Sequence, residues 1–397
     1  MAPVRGPWTP LVGFAAIVVL VAYARVAALP RTTHGFAAYY TAARLLLAGE
    51  LDARVYDDQW FGAQVRQQTQ SGVIEIFGPN PPTMALAAAP LAAFDHHTAR
   101  TIWILGSLAL LALGAWSLVR LIESGEARGA VLIALLLLSP SVFANLLDGQ
   151  IYLSLFALLV AVSLALLKKY DVIAGVLLGI ALATKTSGAP LLLLLIVLRR
   201  WRAAGAAVIT VGALAGAVWV TSGSAIWYRY PAYVAEFIAR PASTVTAYQT
   251  TRGFLKHVCP GCTPLSADAL MVGIVVVTAV LIWKREVLDQ LALAATVTLS
   301  ILILPIAEDT QFVLLGVPLA LWMSVENVSR AMLLAVGILL IVPSAWTIHA
   351  FATGWSSLLA YPRLYAAWLL WFGIAVSLYA NAHAMRSAIV SARGVSR

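Results

Sequence analysis

Apolar segments recur along the whole chain, and short groups of basic residues separate many of them. Hydrophobic residues make up 61% of the 397 positions, whereas soluble domains contain about 45–50% apolar residues. A soluble fold cannot bury that much apolar surface, so the sequence predicts an all-α polytopic membrane protein with a single integral membrane domain, residues 1–397. The segments, about 12 by length and hydropathy, are 11–29, 98–122, 130–147, 151–167, 172–183, 189–198, 203–221, 269–283, 291–306, 312–325, 332–348 and 364–380.

The basic residues predict how these segments are oriented. The formal net charge is +9, but lysine and arginine occur as short clusters between apolar segments, such as Lys168-Lys169 and Lys284-Arg285. Such clusters are typical of cytoplasmic loops, whereas a nucleic-acid surface needs a contiguous basic face. We therefore expect a multi-pass protein of the bacterial plasma (inner) membrane, with both termini in the cytoplasm, that contacts membrane lipids and no nucleic acid.

Two long loops are predicted on the outer side, at residues 30–97 and 222–268. In the first loop, residues 37–48 have the pattern of an interfacial helix that ends at Gly49. A rigid proline-rich turn at 78–82 and a half-length helix at 83–94 follow. The second loop contains Cys259 and Cys262, for which we expect a structural disulfide or an idle thiol pair outside the cytoplasm.

A half-length hairpin, residues 171–200, places a lysine at its tip. Its arms, 172–183 and 189–198, are each about half as long as a bilayer crossing requires, and Lys185 lies between them. A cation at this depth either extends to the membrane surface or pairs with an anion, for which a lipid-linked phosphate is the obvious candidate. Arg44 is predicted to bind the same phosphate or ordinary phospholipid headgroups.

Acidic residues collect on the predicted outer surface and provide the candidates for chemistry. Those proposed as a general base are Asp57, Asp58, Asp148, Glu308 and Asp309, with Glu75 also on this side. Loop acids are often merely solvated, but acids that lie between closely spaced apolar helices are costly and usually functional. A cluster of acids suits a general base or a metal site. No His/Cys/Asp spacing resembles a zinc site, so we assign no metal ligands and expect no cofactor, and the sequence leaves metal dependence open.

Several short motifs, in the same order along the chain, resemble those of glycosyltransferase family 87. The likeness covers residues 10–325, and the motifs are Tyr39-Tyr40-x-Ala42-Ala43-Arg44, Val55-Tyr56-Asp57, Asn80-Pro81-Pro82, Gly149-Gln150, Ala174-Gly175-x3-Gly179-x-Ala181-x3-Lys185 and Leu304-Pro305. One position departs from the family pattern. Where members usually carry an aspartate, just after the first helix, this chain has Gly35, with His34 beside it.

The resemblance implies a GT-C-like fold and an inverting transferase that takes a hexose, most often mannose, from a polyprenyl-phosphate donor. The acceptor would be a lipid or glycan on the extracytoplasmic side. Lys185 and Arg44 would then hold the donor phosphate, and the expected substrate-binding residues are His34, Tyr40, Asn80, Gln150 and Gln311. The alternatives are a transporter or flippase of lipid-linked glycans and a catalytically silent relative that acts as a partner subunit.

Overall fold

The computed structural model describes residues 8–31, 34–122, 126–240, 244–259, 261, 264–283, 289–325, 328–351 and 354–394. Within these ranges the protein is all-helical, with 80% helix and no strand. Two features named from the sequence, Cys262 and the cluster Lys284-Arg285, lie outside the described residues. Cys259 is disulfide-bonded.

The described residues form 19 α-helices, and short segments connect most of them. The α-helices are α1 Trp8–Tyr23, α2 Phe36–Ala48, α3 Asp58–Thr69, α4 Met84–Ala88, α5 His96–Val119, α6 Glu126–Leu137, α7 Pro140–Asp148, α8 Tyr152–Leu167, α9 Asp171–Thr184, α10 Ala189–Val197, α11 Trp201–Ser222, α12 Ala225–Ala239, α13 Thr251–Val258, α14 Pro264–Trp283, α15 Asp289–Leu302, α16 Gly316–Met323, α17 Arg330–Ile341, α18 Ser344–Ala350 and α19 Pro362–Gly394. A π-helical turn, Ala24–Ala28, continues α1. Short 3-10 helices occupy Ala53–Tyr56, Ala89–Leu91, Thr186–Gly188, Asp309–Leu315 and Trp355–Ala360.

Six helical stretches in the described ranges are long and apolar enough to cross a membrane. They are Trp8–Ala28, His96–Val119, Arg128–Asp148, Trp201–Ser222, Leu265–Trp283 and Pro362–Ala380. The other predicted segments correspond to shorter apolar helices of 10–17 residues, namely Tyr152–Leu167, Asp171–Thr184, Thr186–Val197, Asp289–Leu302, Asp309–Met323 and Arg330–Ile341. Every predicted segment is therefore mainly helical, but 130–147 and 332–348 are each divided between two α-helices, and 291–306 ends in non-helical residues. A total of about 12 membrane segments stays a prediction.

The two arms of the lysine hairpin are α9 and α10, and glycines press α9 closely against α11. A Cβ atom on Gly175 would lie 2.2 Å from the carbonyl oxygen of Ala203, and one on Gly179 would lie 2.6 Å from Cβ of Thr210. Small residues four positions apart let two membrane helices approach closely and pack without a gap. This contact supports the end of α9, where Lys185 follows directly.

The first loop is folded into the bundle. Helix α2 was predicted to lie at the membrane interface with one apolar face, but it is buried on nearly all sides and packs against α3, α4 and α5. Alanines at positions 37, 38, 42 and 43 leave room for these neighbours on several faces at once. The helix ends at Gly49, whose φ of 72° is left-handed, as the sequence predicted.

Helix α12 of the second loop packs on the first loop through aromatic side chains. The rings of Tyr230 and Tyr233 lie 5.7 Å and 5.4 Å from the ring of Tyr56. Tyr233 also lies against Gly78, where a Cβ atom would be 1.8 Å from the tyrosine ring. The proline-rich turn therefore needs a glycine at this position, and α12 forms one wall of the space described next.

Candidate active site

A cavity of about 430 Å³ lies where α8 begins and α7, α9 and α15 end. Its volume falls within the range of about 300–1,000 Å³ that is usual for ligand pockets. Seven of the predicted site residues line it: His34, Asn80, Asp148, Gln150, Lys185, Glu308 and Gln311. Residues that are far apart in the sequence therefore share one cavity.

Glu75, which was not among the predicted site residues, is the most firmly held carboxylate of the cavity. Its Oε2 accepts a 2.9 Å hydrogen bond from the backbone N–H of Gly35, and Oε1 accepts one of 2.8 Å from the N–H of Ile76. Nδ1 of His34 lies 3.2 Å from Oε2. Burial by itself would raise the pKa of Glu75, but these donors stabilise the charged form and bring the pKa below its usual value.

Gly35 allows the chain to pass between Glu75 and the turn after α7. Its φ is +73°, and a Cβ atom would lie 2.4 Å from the carbonyl oxygen of Asp148. Any side chain at this position would have to adopt an unfavourable backbone conformation and would clash with that carbonyl. The position at which the family pattern places an aspartate can therefore accommodate only glycine in this backbone arrangement.

The turn after α7 presents Asp148 and Gln150 to the cavity. Gly149 ends the helix with a φ of 60°, and the indole N–H of Trp103 donates a 2.8 Å hydrogen bond to its carbonyl oxygen. The hydroxyl of Tyr39 donates to Oε1 of Gln150, which fixes the amide orientation. Tyr39 and Trp103 therefore hold the predicted Asp148-Gly149-Gln150 turn from the side of α2 and α5.

Lys185 lies at the break between α9 and the 3-10 helix Thr186–Gly188, and is partly buried. Its ammonium group donates a hydrogen bond to Oδ1 of Asn80 and lies 5.4 Å from the centre of the Tyr152 ring. Among the described residues it forms no ion pair with a carboxylate. Since a cation in such a setting is usually paired, this arrangement favours an anionic ligand.

Glu308 and Gln311 reach the cavity from the connection between α15 and the 3-10 helix Asp309–Leu315. Gln311 donates a 2.9 Å hydrogen bond to the hydroxyl of Tyr152. Burial raises the pKa of Glu308, and the positive charge of Lys185 opposes that shift. A carboxyl group and an ammonium group thus line the same cavity and influence one another electrostatically.

Another part of the cavity lining is mainly apolar. Tyr230, Val234, Phe237 and Ile238 of α12 line it together with the segment 304–306. The cavity consequently has a charged half and an apolar half, a combination that suits a ligand with a polar head and a hydrophobic chain.

Two predicted bases, Asp57 and Asp58, lie outside the cavity lining. Asp57 is the N-cap of α3 and accepts hydrogen bonds of 3.0 Å and 3.1 Å from the N–H groups of Gln59 and Trp60. Asp58 accepts a 2.7 Å hydrogen bond from the Tyr233 hydroxyl and pairs with Arg240 at 2.9 Å. Both carboxylates stabilise local structure, so neither is retained as a candidate base.

Asp309, Arg44 and Tyr40 are likewise absent from the cavity lining. Asp309 pairs with the buried guanidinium of Arg363 at 2.8 Å. Arg44 donates to the carbonyl oxygen of Ala92, and the Tyr40 hydroxyl donates to that of Phe94. These contacts hold α2 on the segment that follows α4, and the structure places neither Arg44 nor Tyr40 among the cavity residues.

The residues that sequence reasoning missed are Glu75, Tyr39 and Tyr152. Glu75 stood among the outer acids, but nothing near it in the sequence predicts that the N–H of Gly35, 40 positions earlier, donates to it. Tyr39 belongs to the motif Tyr39-Tyr40-x-Ala42-Ala43-Arg44, but only Tyr40 and Arg44 of that motif were predicted to bind substrate. As for metals, no group of three or more His, Cys, Asp or Glu side chains in the described ranges is arranged to hold an ion.

The fold and the cavity together define an integral membrane protein with a charged, ligand-sized site at one end of its helices. The model of glycosyltransferase family 87 matches residues 79–305, which is more than half of the chain, and the protein belongs to this family. Membership implies a membrane glycosyltransferase. The matched range contains Asn80, Asp148, Gln150 and Lys185. No curated protein and no solved structure matches the chain.

Proposed function

We propose that the protein transfers a hexose, with mannose as the first candidate, from a polyprenyl-phosphate donor to a lipid or glycan acceptor. The observation that carries this proposal is the position of Lys185. Its ammonium group shares one cavity with three carboxyl groups, those of Glu75, Asp148 and Glu308, and pairs with none of them. A donor phosphate would supply the anion that this lysine lacks.

The two halves of the cavity support the proposed donor. The charged half offers Lys185 to the phosphate and the polar groups of Asn80, Gln150 and Gln311 to sugar hydroxyls. The apolar half, formed mainly by α12, would receive the first isoprene units. A nucleotide sugar would place a polar base against this apolar wall, which is unfavourable.

In the proposed reaction the acceptor hydroxyl attacks the anomeric carbon directly and the configuration inverts. Lys185 stabilises the negative charge that develops on the leaving phosphate. A base within the cavity takes the proton of the hydroxyl. Under the orientation predicted from the basic clusters, the site faces the extracytoplasmic side of the bacterial inner membrane.

The test is transfer by the purified protein in lipid nanodiscs. Polyprenyl-phosphate mannose and glucose and the matching nucleotide sugars are offered as donors, with a panel of lipid and glycan acceptors. We expect a labelled product from a polyprenyl-phosphate sugar only. Turnover with nucleotide sugars alone would contradict the proposed donor. Movement of intact labelled lipid across vesicle membranes, without any transfer, would favour a flippase instead, and neither activity would favour a silent partner subunit.

A further inference from the structure

His34 and Glu75 form a pair whose geometry resembles the histidine and carboxylate of a general-base system. Nδ1 of His34 lies 3.2 Å from Oε2 of Glu75, and the histidine side chain is 66% exposed whereas that of the glutamate is 16% exposed. The ring therefore turns one nitrogen to a buried carboxylate. In the described part of the chain nothing bonds to Nε2, and His34 lines the cavity.

Glu75 is suited to hold the histidine rather than to accept the proton itself. Two backbone N–H groups, those of Gly35 and Ile76, donate to its two oxygens. A carboxylate held in this way stays ionised, fixes the orientation of the imidazole and stabilises the imidazolium that forms when the ring takes a proton. The N–H that donates to Oε2 belongs to Gly35, whose φ lies in the left-handed region.

We infer that His34 is the general base of the transfer reaction and that Glu75 is its positioning residue. This inference rests on the proposed function. The acceptor oxygen forms a bond to the anomeric carbon while the bond from that carbon to the phosphate oxygen breaks. The electron pair of the broken bond leaves with the polyprenyl phosphate. The hydroxyl proton moves to Nε2 of His34 and is afterwards released to water.

The surroundings of His34 agree with this role. The charged and titratable side chains that share the cavity with it are Glu75, Asp148, Glu308, Lys185, Tyr39, Tyr152, Tyr230 and Tyr248. The bond to Glu75 raises the pKa of His34 above 6.5, burial opposes the shift, and the charges of Glu75, Asp148 and Glu308 add to it. General-base catalysis is most effective when the pKa of the base lies near the working pH.

Competing carboxylates are less well placed to act as the base. Among the described residues no hydrogen-bond donor orients the carboxyl group of Glu308, and burial raises its pKa without bringing it a fixed partner. Asp148 is in the same situation at the end of α7, where no donor from the described residues holds its side chain. By contrast, the imidazole of His34 is oriented by Glu75.

The experiment is the pH dependence of kcat/KM for the full-length protein with its polyprenyl-phosphate donor. With His34 as the base, the acid limb of the wild-type profile should have an apparent pKa above 6.5, and Glu75→Gln should move that limb to lower pH. His34→Ala should reduce kcat by about 10²–10⁴-fold, and added imidazole should restore part of the activity. The matched control is His97→Ala, an exposed histidine outside the cavity, which should leave the profile unchanged.

Each result separates this inference from the proposed function. If the wild type transfers sugar with an acid limb near pH 4–5, typical of a carboxylate base, His34 is not the base and the function stands. His34 is also excluded as the base if His34→Ala keeps its activity. If His34→Ala is inactive and imidazole restores nothing, the pH profiles decide whether His34 is the base. An acid limb above pH 6.5 that moves to lower pH in Glu75→Gln supports His34, and a limb that does not move excludes it. Absence of transfer by the wild type with every donor overturns the proposed function and this inference together.

Discussion

Nε of Arg363 donates a 2.8 Å hydrogen bond to Oδ1 of Asp309, and the arginine side chain is fully buried. The same guanidinium donates to the carbonyl oxygens of Leu339 and Val342. Asp309 is thus the counter-ion of a buried cation and joins the segment beside the cavity to the start of α19. Its neighbour Glu308 has a different role, since it lines the cavity.

Asp309→Asn is expected to destabilise the protein by about 3–5 kcal/mol, because it leaves a buried charge without its partner. A thermal melt of the purified protein in detergent should show a clear fall in melting temperature. Asp268→Asn is the matched control: it removes an ion pair to Arg252 whose carboxylate is 48% exposed, and such pairs contribute about 0–1 kcal/mol. Equal melting temperatures for the two variants would contradict a structural role for Asp309.

Glu308→Gln is expected to lower transfer activity without lowering the melting temperature. It removes a charge that no described residue holds by a hydrogen bond, so the melting temperature should not fall. Under the proposed function we expect Glu308 to accept a hydrogen bond from a substrate hydroxyl in the cavity. Loss of such a charged hydrogen bond, worth about 1.5–3 kcal/mol, should lower kcat/KM by about 10- to 100-fold. The measurement is transfer activity and melting temperature on the same preparation. Full activity would show that Glu308 does not contact the substrate.

Lys185→Met should abolish most of the transfer activity, because it removes the cation proposed to stabilise the leaving phosphate. A loss of about 10²–10³-fold in kcat is expected for removing such a donor. Lys168→Met changes an exposed lysine after α8 and should have no effect. If Lys185→Met binds and turns over the donor like the wild type, the lysine does not hold the phosphate and merely contacts Asn80.

Gly35→Ala and Gly49→Ala separate steric conflict from backbone strain. Both glycines have nearly the same φ, 73° and 72°, but only a Cβ at Gly35 meets other atoms. Gly49→Ala should cost about 1–3 kcal/mol from the strained conformation alone. Gly35→Ala should lower the melting temperature further and also lose activity, since it pushes the Asp148 carbonyl away. Similar melting temperatures for the two variants would contradict the close approach between Gly35 and the carbonyl oxygen of Asp148.

The His34–Glu75 pair should make stability depend on pH in a defined window. The raised pKa of His34 stabilises the fold below about pH 6.5, and this contribution is lost as the pH rises through the folded-state pKa. The lowered pKa of Glu75 stabilises the fold above its usual 4.5, and that contribution is lost on acidification. The melting temperature should therefore be highest between these values. Glu75→Gln should flatten the curve, and a wild-type curve that is already flat would contradict the pairing.

Much of the bundle could be predicted from the sequence because hydropathy is a local property. Every predicted apolar segment is mainly helical, although 130–147 and 332–348 are each divided between two helices. The stop at Gly49 and the break at Lys185 are where short-range signals placed them. The burial of α2 could not be predicted in this way. Its alanine-rich surface is compatible with a membrane interface and with a protein interior, and only the neighbours α3, α4 and α5 decide between them.

Site residues at helix breaks could be predicted from the sequence. The role of the other acidic residues could not, because it depends on partners that are far away in the sequence. Asp148, Lys185 and Glu308 lie at helix breaks and do line the cavity. Asp57 could have been recognised as a helix cap, since aspartate is a favoured N-cap residue. The partner of Asp309 is 54 positions away, and that of Asp58 is 175 positions away. No local pattern reveals either contact, so these acids were indistinguishable from the cavity carboxylates.

The charged and apolar halves of the cavity come from different parts of the chain. The charged half is formed by segments 34–39, 75–80 and 148–152 together with Lys185, Glu308 and Gln311, whereas α12 and the segment 304–306 form the apolar half. Under the proposed function, exchanges on α12 should therefore act mainly on the accepted lipid chain, and exchanges in the charged half should act mainly on the sugar. Under that function, donor choice would then be modular, so that related chains could diverge in one specificity without changing the other.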